Sequence, residues 1–259
     1  MNILRNNFFV FIAVRLKSSR LPKKALEKIH DKEMLLILID RLSKVFHREQ
    51  IIICTSNDPQ DNELIEFANS KNIPSYAGDS DDVISRFLGA ADKFGATTIA
   101  RVTGDNPFTD PIEMEKMLIA HHENSAEYTF NTQLPVGTRS EIIEVCALQR
   151  IHNQLVNPKL SEYMTYMLNR PDMLITNKYF VKDQYLIRPE LSLTVDTPKD
   201  IELIRKICSS LNKSDPTLHE IIKWLDLNSS YKILVDINQP TPKKILSQCS
   251  YKKDLRSFS

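Results

Sequence analysis

Phe8-Phe9-Val10-Phe11-Ile12-Ala13-Val14 runs directly into Arg15-Leu16-Lys17-Ser18-Ser19-Arg20-Leu21-Pro22-Lys23-Lys24-Ala25-Leu26. The apolar run is rich in aromatic and β-branched residues, long enough for a buried strand and too short for a buried helix. The segment behind it sets five cations and two hydroxyls within positions 15 to 24. Charges of one sign packed this densely either spread into solvent or gather around an anion. For a charge run in general the solvated loop is the default. A loop leaving the carboxyl end of a buried strand, however, is where open α/β sheets hold ligands, and that place favours the anion. A triphosphate suits it: guanidinium groups grip phosphate oxygens in pairs, ammonium groups act as point charges, and hydroxyls donate.

Outward from there, apolar residues at helical spacing over 33–46 precede a short buried strand at 51–54 and the turn chemistry of Thr55-Ser56-Asn57-Asp58-Pro59. A helix at 61–70, a strand at 74–77, a helix from the acidic cap at 79–82 to residue 94, and a strand at 97–102 follow. Then come a helix at 111–123 and a strand at 127–131. This alternation predicts an α/β fold: right-handed crossovers and a mostly parallel sheet covered by helices on both faces. The polar clusters at 15–24, 55–58 and 103–110 each follow a strand, so they should converge on one edge. The second half reads as strands at 137–145 and 191–195 with helices at 160–168 and 199–211. A main domain over 1–212 is expected, followed by a C-terminal segment, 213–259, made of a helix at 217–227 and an extended tail.

Composition removes several function classes. Of 259 residues, 42% are hydrophobic and 26% charged, with a net charge of +1. A near-neutral chain gives no global reason to expect nucleic acid as a partner. No apolar run approaches the ~18–20 residues of a membrane span, and 8–14 lacks the cleavage site of a signal peptide. Four scattered cysteines, Cys54, Cys146, Cys208 and Cys249, offer no CxxC spacing for zinc. A cytoplasmic location is therefore expected. With five glycines, the chain assembles neither GxGxxG nor GxxxxGK[ST], so any nucleotide is held without those loops.

Two further segments carry chemistry. Arg101-Val102-Thr103-Gly104-Asp105-Asn106-Pro107-Phe108-Thr109-Asp110-Pro111 ends a strand and projects Asp105 at the sheet edge. Leu193-Thr194-Val195-Asp196-Thr197-Pro198-Lys199-Asp200 repeats the pattern before a helix. A lone acid after a strand is by default a turn former or a helix cap, and Asp110 before Pro111 reads as a plain N-cap. Two such acids at the ends of one sheet, Asp105 and Asp196, also suit Mg²⁺, which takes one or two carboxylates together with substrate phosphates and water.

Taken together, the three segments resemble a sugar cytidylyltransferase, nearest the SpsF spore-coat polysaccharide group and related to CMP-KDO synthetases and acylneuraminate cytidylyltransferases. The opening pattern A-R-x-x-S-x-R-L-P-x-K-x-L is matched by Arg15, Ser18, Arg20, Leu21, Pro22, Lys24 and Leu26. R-[IV]-T-x-D-x-P-[LF]-x-D-P is matched across 101–111, and T-V-D-T-P-x-D across 194–200. Weaker matches are Gly137 to Glu141 for G-x-x-x-E and 161–165 for S-E-x-x-T.

The resemblance implies a Rossmann-like nucleotidyltransferase, often a homodimer. It would transfer CMP from CTP to a sugar acid of nonulosonic or octulosonic type and release pyrophosphate, giving an activated CMP-sugar for surface polysaccharide or glycoconjugate synthesis. Arg15, Ser18, Arg20 and Lys24 would hold the triphosphate, with Thr55, Asp58, Arg86 and Thr103 at the nucleotide. Asp105 and Asp196 would hold Mg²⁺, and Arg139, Glu141 and Glu162 would lie toward the acceptor. Lys24, Arg15, Asp105 and Asp196 would be the catalytic set. The chain departs from the pattern at Lys23, where glycine is usual, and at Lys17, where a small residue is usual. It departs again at Thr138-Arg139-Ser140-Glu141, where L-D-x-E is usual, and at Tyr163, where histidine is common. The alternatives are a catalytically idle nucleotide- or sugar-binding homologue, or a transferase using another nucleoside triphosphate.

Overall fold

The opening apolar run forms the centre of the sheet because its side chains are covered from both sides. In a computed structural model, which describes residues 7–17, 20–159, 164–237 and 249–252, it is strand β1 (Phe8–Ala13). A small ribbon of β2 (Lys28–Ile29) and β3 (Lys32–Glu33) then leads into α1 (Met34–Leu42). Next come β4 (Ile51–Ser56), α2 (Asn62–Ser70), β5 (Ser75–Gly78), α3 (Val83–Phe94), β6 (Thr98–Thr103) and α4 (Pro111–Glu123). The second half holds β7 (Tyr128–Phe130), β8 (Glu141–Glu144), α5 (Val145–Gln154), α6 (Met164–Leu168), β9 (Thr176–Lys178), α7 (Pro198–Leu211) and α8 (Leu218–Leu227).

Seven of the described strands form one sheet in the order β5-β4-β1-β6-β8-β7-β9. The first four run parallel, while β8 runs antiparallel to both β6 and β7. Alternation along β1 divides the interior. Phe8, Val10 and Ile12 face a core shared with α1, α4, α7 and α8. Phe11 faces the other core, with Phe87 of α3, Leu148 of α5 and Met167 of α6. This is the mostly parallel, doubly covered sheet that the strand–helix spacing predicts.

Two expectations need correction. The strand expected at 137–145 is confined to Glu141–Glu144, because Gly137 turns the chain at φ +88°, and α5 begins at Val145. Residues 191–195 lie outside the seven-stranded sheet, with isolated bridges from Ser192 to Val136 and from Leu191 to Leu234. The place beside β6 is already taken by β8. Of the helix expected at 160–168, the described part is Met164–Leu168, and 160–163 lie outside the described residues. The boundary drawn at 212 falls between α7 and α8, and Leu218, Ile221, Ile222 and Leu225 share one core with Ile201 and Ile204. Among the described residues no helix is long and apolar enough to cross a membrane.

Candidate active site

The first wall of the site is the basic loop, held by backbone rather than by its charges. Val14 N–H donates to Cys54 O at 3.2 Å, and Gly104 N–H donates to Ala13 O at 2.9 Å, so the ends of β4, β1 and β6 stay together. Gly104 makes this possible, since a Cβ there would stand 2.7 Å from the Val14 side chain. Leu16 is buried, its N–H donating to Asp61 Oδ1 at 2.7 Å. Lys23 N–H closes the loop onto Leu16 O at 3.0 Å. Asp61, itself buried and also accepting from Ser56 Oγ, was not legible in the sequence: five residues after a strand end it reads as an ordinary helix-start acid.

Lys23 explains the missing glycine. It holds φ 56°, ψ 21°, the left-handed region that glycine enters freely, and its Nζ turns to Glu63 Oε2 at 2.5 Å. The loop keeps a glycine-like bend and the additional charge goes to Glu63. Lys23→Gly should therefore leave stability unchanged or raise it by up to about 1 kcal/mol, because it relieves left-handed strain of about 1–2 kcal/mol at the expense of one exposed ion pair. A urea melt checks this. A loss above about 1 kcal/mol would contradict the strained bend.

The second wall brings the two acids together. Val195 N–H donates to the backbone oxygen of Asp105 at 2.9 Å, which docks the 191–195 segment against the end of β6. The default capping duty goes elsewhere: Asp200 Oδ2 accepts from Asp196 N (3.0 Å), Thr197 N (2.7 Å) and Thr197 Oγ1 (2.8 Å). The Asp196 carboxylate thus points to other partners. Asp110 does cap α4, accepting from Ile112 N and Glu113 N. Lys24 Nζ lies 2.8 Å from Asp105 Oδ2, 2.8 Å from Asp196 Oδ1 and 2.8 Å from Val195 O. Two oxygens that share one nitrogen at those lengths are at most 5.6 Å apart. Arg20 Nη2 reaches Asp196 Oδ1 at 3.2 Å. Burial pulls the Lys24 ammonium down, but Asp105 and then Asp196 more than offset it, and its pKa is raised above 10.5. The stabilising contribution is thus fully present below pH 10.5 and is lost as pH rises through the raised value.

Around these groups lies a cleft of about 370 Å³, lined by Arg15, Lys17, Arg20, Lys24, Asp105 and Asp196 among others. Arg15 Nη1 donates to Ser80 O at 2.5 Å. Arg86 lies beneath rather than in the cleft: it is buried, and its guanidinium donates to the backbone oxygens of Asp79 and Ser80. It thereby supports the loop that Arg15 touches. Thr55 is fully buried, and Asp58 caps the turn at Gln60. Neither Thr55, Asp58 nor Arg86 lines the cleft. Ser18 and Glu162 lie outside the described residues.

A second cleft of about 500 Å³ adjoins the first at the 103–106 loop, with Thr103 and Asn106 on its wall next to Gly104 and Asp105 of the other. Thr103 Oγ1 donates to Asp105 Oδ1 at 2.6 Å and accepts from Asn106 Nδ2 at 2.8 Å. Glu141 and Arg139 line the same cleft. Glu141 is buried, paired with Arg101 and accepting from the Tyr128 hydroxyl. Burial, then Glu141, pushes the Tyr128 phenol well above its ordinary pKa, so it stays a donor. Asn106 and Thr165, which accepts from Arg101 Nη1 at 3.0 Å, are wall residues that sequence reasoning missed. Asn106 sits at a position its motif leaves open, and Thr165 is the closing threonine of the S-E-x-x-T match.

The sequence signature described as "Cytidylyltransferase" matches residues 9–221. The chain belongs to the cytidylyltransferase family. It is 27% identical over 229 residues to the spore coat polysaccharide biosynthesis protein SpsF of Bacillus subtilis, covering 86% of this chain and 95% of that one. Its fold matches that of a cytidylyltransferase from Leptospira borgpetersenii with a TM-score of 0.79 at 22% identity, covering 91% and 98% of the two chains. It also matches a CMP:2-keto-3-deoxy-manno-octonic acid synthetase solved in complex with CTP, with a TM-score of 0.60 at 17% identity over 79% and 99%. This cytidylyltransferase thus has the nucleotidyltransferase fold its motifs suggest.

Proposed function

We propose that this cytidylyltransferase joins CMP from CTP to the anomeric hydroxyl of a sugar acid and releases pyrophosphate. The resulting CMP-sugar would serve surface polysaccharide or glycoconjugate synthesis, in keeping with the SpsF relative, a spore coat polysaccharide biosynthesis protein. One observation carries the reading: a single cation, Lys24 Nζ, is held 2.8 Å from both Asp105 and Asp196 beneath a loop of arginines, next to a second polar cleft.

That arrangement also tests the fit of a divalent metal. The lysine stands in for a cation between two hard oxygen donors, and two carboxylates are the number Mg²⁺ accepts when phosphates and water fill the remainder. Asp105 and Asp196 would hold it. When bound, such an ion neutralises charge on the α-phosphate. The chain's own groups do the rest. Arg15, Arg20 and Lys24 bind the triphosphate and stabilise the departing pyrophosphate, whose charge grows as the bond from the α-phosphorus to its bridging oxygen breaks. The second cleft positions the attacking hydroxyl from the Thr103–Asn106 side.

Lys24→Met should lower kcat about 10²-fold with CTP KM changed less than about threefold, because the ammonium acts on charge that develops in the transition state. Steady-state kinetics separates the two. A large KM rise at unchanged kcat would instead make Lys24 a uniform binder. The function itself is tested by pyrophosphate release with CTP, UTP, ATP or GTP across nonulosonic and octulosonic acids. CTP with at least one acid should support turnover. Failure of every pair, under Mg²⁺ and Mn²⁺ alike, overturns the reading.

A further inference from the structure

The acceptor cleft holds a guanidinium without a counter-charge. Among its described lining residues the ionic groups are Arg101, Arg139 and Glu141. Glu141 is committed to Arg101 and the Tyr128 hydroxyl. Among the described residues Arg139 touches only backbone oxygens, Nε donating to Leu134 O at 2.7 Å and Nη2 to Pro189 O at 3.4 Å. Burial alone, with no carboxylate beside it, draws its pKa down to about 10. It still carries its charge at neutral pH, and a half-buried charge without a partner is held at a cost that an incoming anion removes.

One further observation points the same way. Across the cleft, Asn106 Oδ1 is buried without a donor. Its amide cannot simply be turned over: Thr103 Oγ1 spends its proton on Asp105 and so requires Asn106 Nδ2 as its donor. Among its described lining residues the cleft therefore offers a cation without a counter-charge at Arg139, a buried acceptor without a donor at Asn106 Oδ1 and a buried donor without an acceptor at Arg101 Nε. A molecule with an anionic group and a hydroxyl satisfies the first two.

We infer that Arg139 is the specificity-determining residue of this cleft, receiving one anionic group of the acceptor while Asn106 Oδ1 accepts from an acceptor hydroxyl. The inference rests on the cytidylyl-transfer reading above and adds which residue selects the acceptor by charge. A carboxylate and a phosphate ester present the same chemistry to a guanidinium, so the experiment carries both.

Acceptor KM is measured for wild type, Arg139→Gln, Arg139→Lys and Arg139→Asp. The acceptors are 3-deoxy-manno-octulosonate, its neutral primary amide, and fructose 6-phosphate beside fructose. Arg139→Gln should raise KM for the anionic acceptor about 30-fold or more, and Arg139→Asp further. Arg139→Lys should recover most of the loss, and CTP KM should stay within about threefold, which also reports an intact fold. An effect confined to the octulosonate names the carboxylate as the anion; one confined to the sugar phosphate names the phosphate. A neutral amide used as well as the acid by wild type, or a KM change below about threefold in Arg139→Gln, overturns the inference. Should no acceptor turn over, the transfer reading falls separately, and calorimetric binding of the same two anions decides Arg139. Binding by wild type lost in Arg139→Gln supports the inference, whereas equal binding, or none to wild type, overturns it.

Discussion

Asp105→Ala and Asp196→Ala are each expected to cut CTP-dependent turnover by about 10²-fold or more while leaving the melting temperature within a few degrees of the parent. Both carboxylates are partly open to solvent, at 25% and 31% side-chain exposure, so removing either leaves no cavity in the core. Lys24 keeps the other acid and Val195 O as partners, and is not stranded. On the proposed reading, what would be lost is the paired negative charge that holds a cation against the triphosphate, worth several kcal/mol in the transition state. At about 1.4 kcal/mol per tenfold, that gives the stated range. Asp105→Asn is the matched control: it preserves an acceptor for Thr103 Oγ1 and should lose nearly as much rate. Turnover close to the parent in any of the three variants would remove both acids from the catalytic set.

Gly137→Ala should be the most damaging small substitution outside the acids, lowering stability by about 2–4 kcal/mol and turnover with it. The position holds φ +88°, and an added Cβ would stand 2.3 Å from Thr194 N and 2.6 Å from Leu193 C. Backbone strain contributes about 1 kcal/mol and overpacking about 1–3 kcal/mol. The displaced segment is the one that carries Asp196. Val136 N–H donates to Leu191 O, Leu193 N–H returns to Val136 O, and Val195 N–H reaches Asp105 O. Gly95→Ala separates the two causes. Gly95 also has a positive φ, +71°, but nothing lies within 4 Å of its missing Cβ, so only strain applies. It should cost about 1 kcal/mol and spare kcat. Urea unfolding and initial rates on both variants decide it; equal losses at the two glycines would mean that contact with Thr194 carries nothing.

What the sequence made legible follows from where its signals are local. The buried run at 8–14, the basic loop behind it and the helix starts at Asp110-Pro111 and Thr197-Pro198 act through their nearest neighbours, and the structure places each near its expected element. Residues 191–195 look like a strand because buried Leu191, Leu193 and Val195 alternate with Ser192 and Thr194, yet they pair with single residues from distant segments. Nothing in a run of five residues distinguishes those environments. Arg86 illustrates the same limit. Its type and position suit a nucleotide contact, while its burial under the 79–80 backbone depends on how α3 packs. Lys23 is the reverse case: a departure from the motif whose backbone keeps the geometry the motif requires. The meeting of Asp105, Asp196 and Lys24 could be posed from the sequence as a question of distance, and only the folded chain answers it.

Everything proposed for the chemistry turns on one cation shared by the two acids in the presence of nucleotide. The direct measurement is Mn²⁺ binding followed by electron paramagnetic resonance, with and without CTP, on the parent, Asp105→Ala and Asp196→Ala. The account expects a protein-bound Mn²⁺ that tightens about tenfold or more with CTP in the parent, and that both substitutions weaken to a similar extent. Parent-like Mn²⁺ affinity in the presence of CTP, retained by either variant, would contradict it.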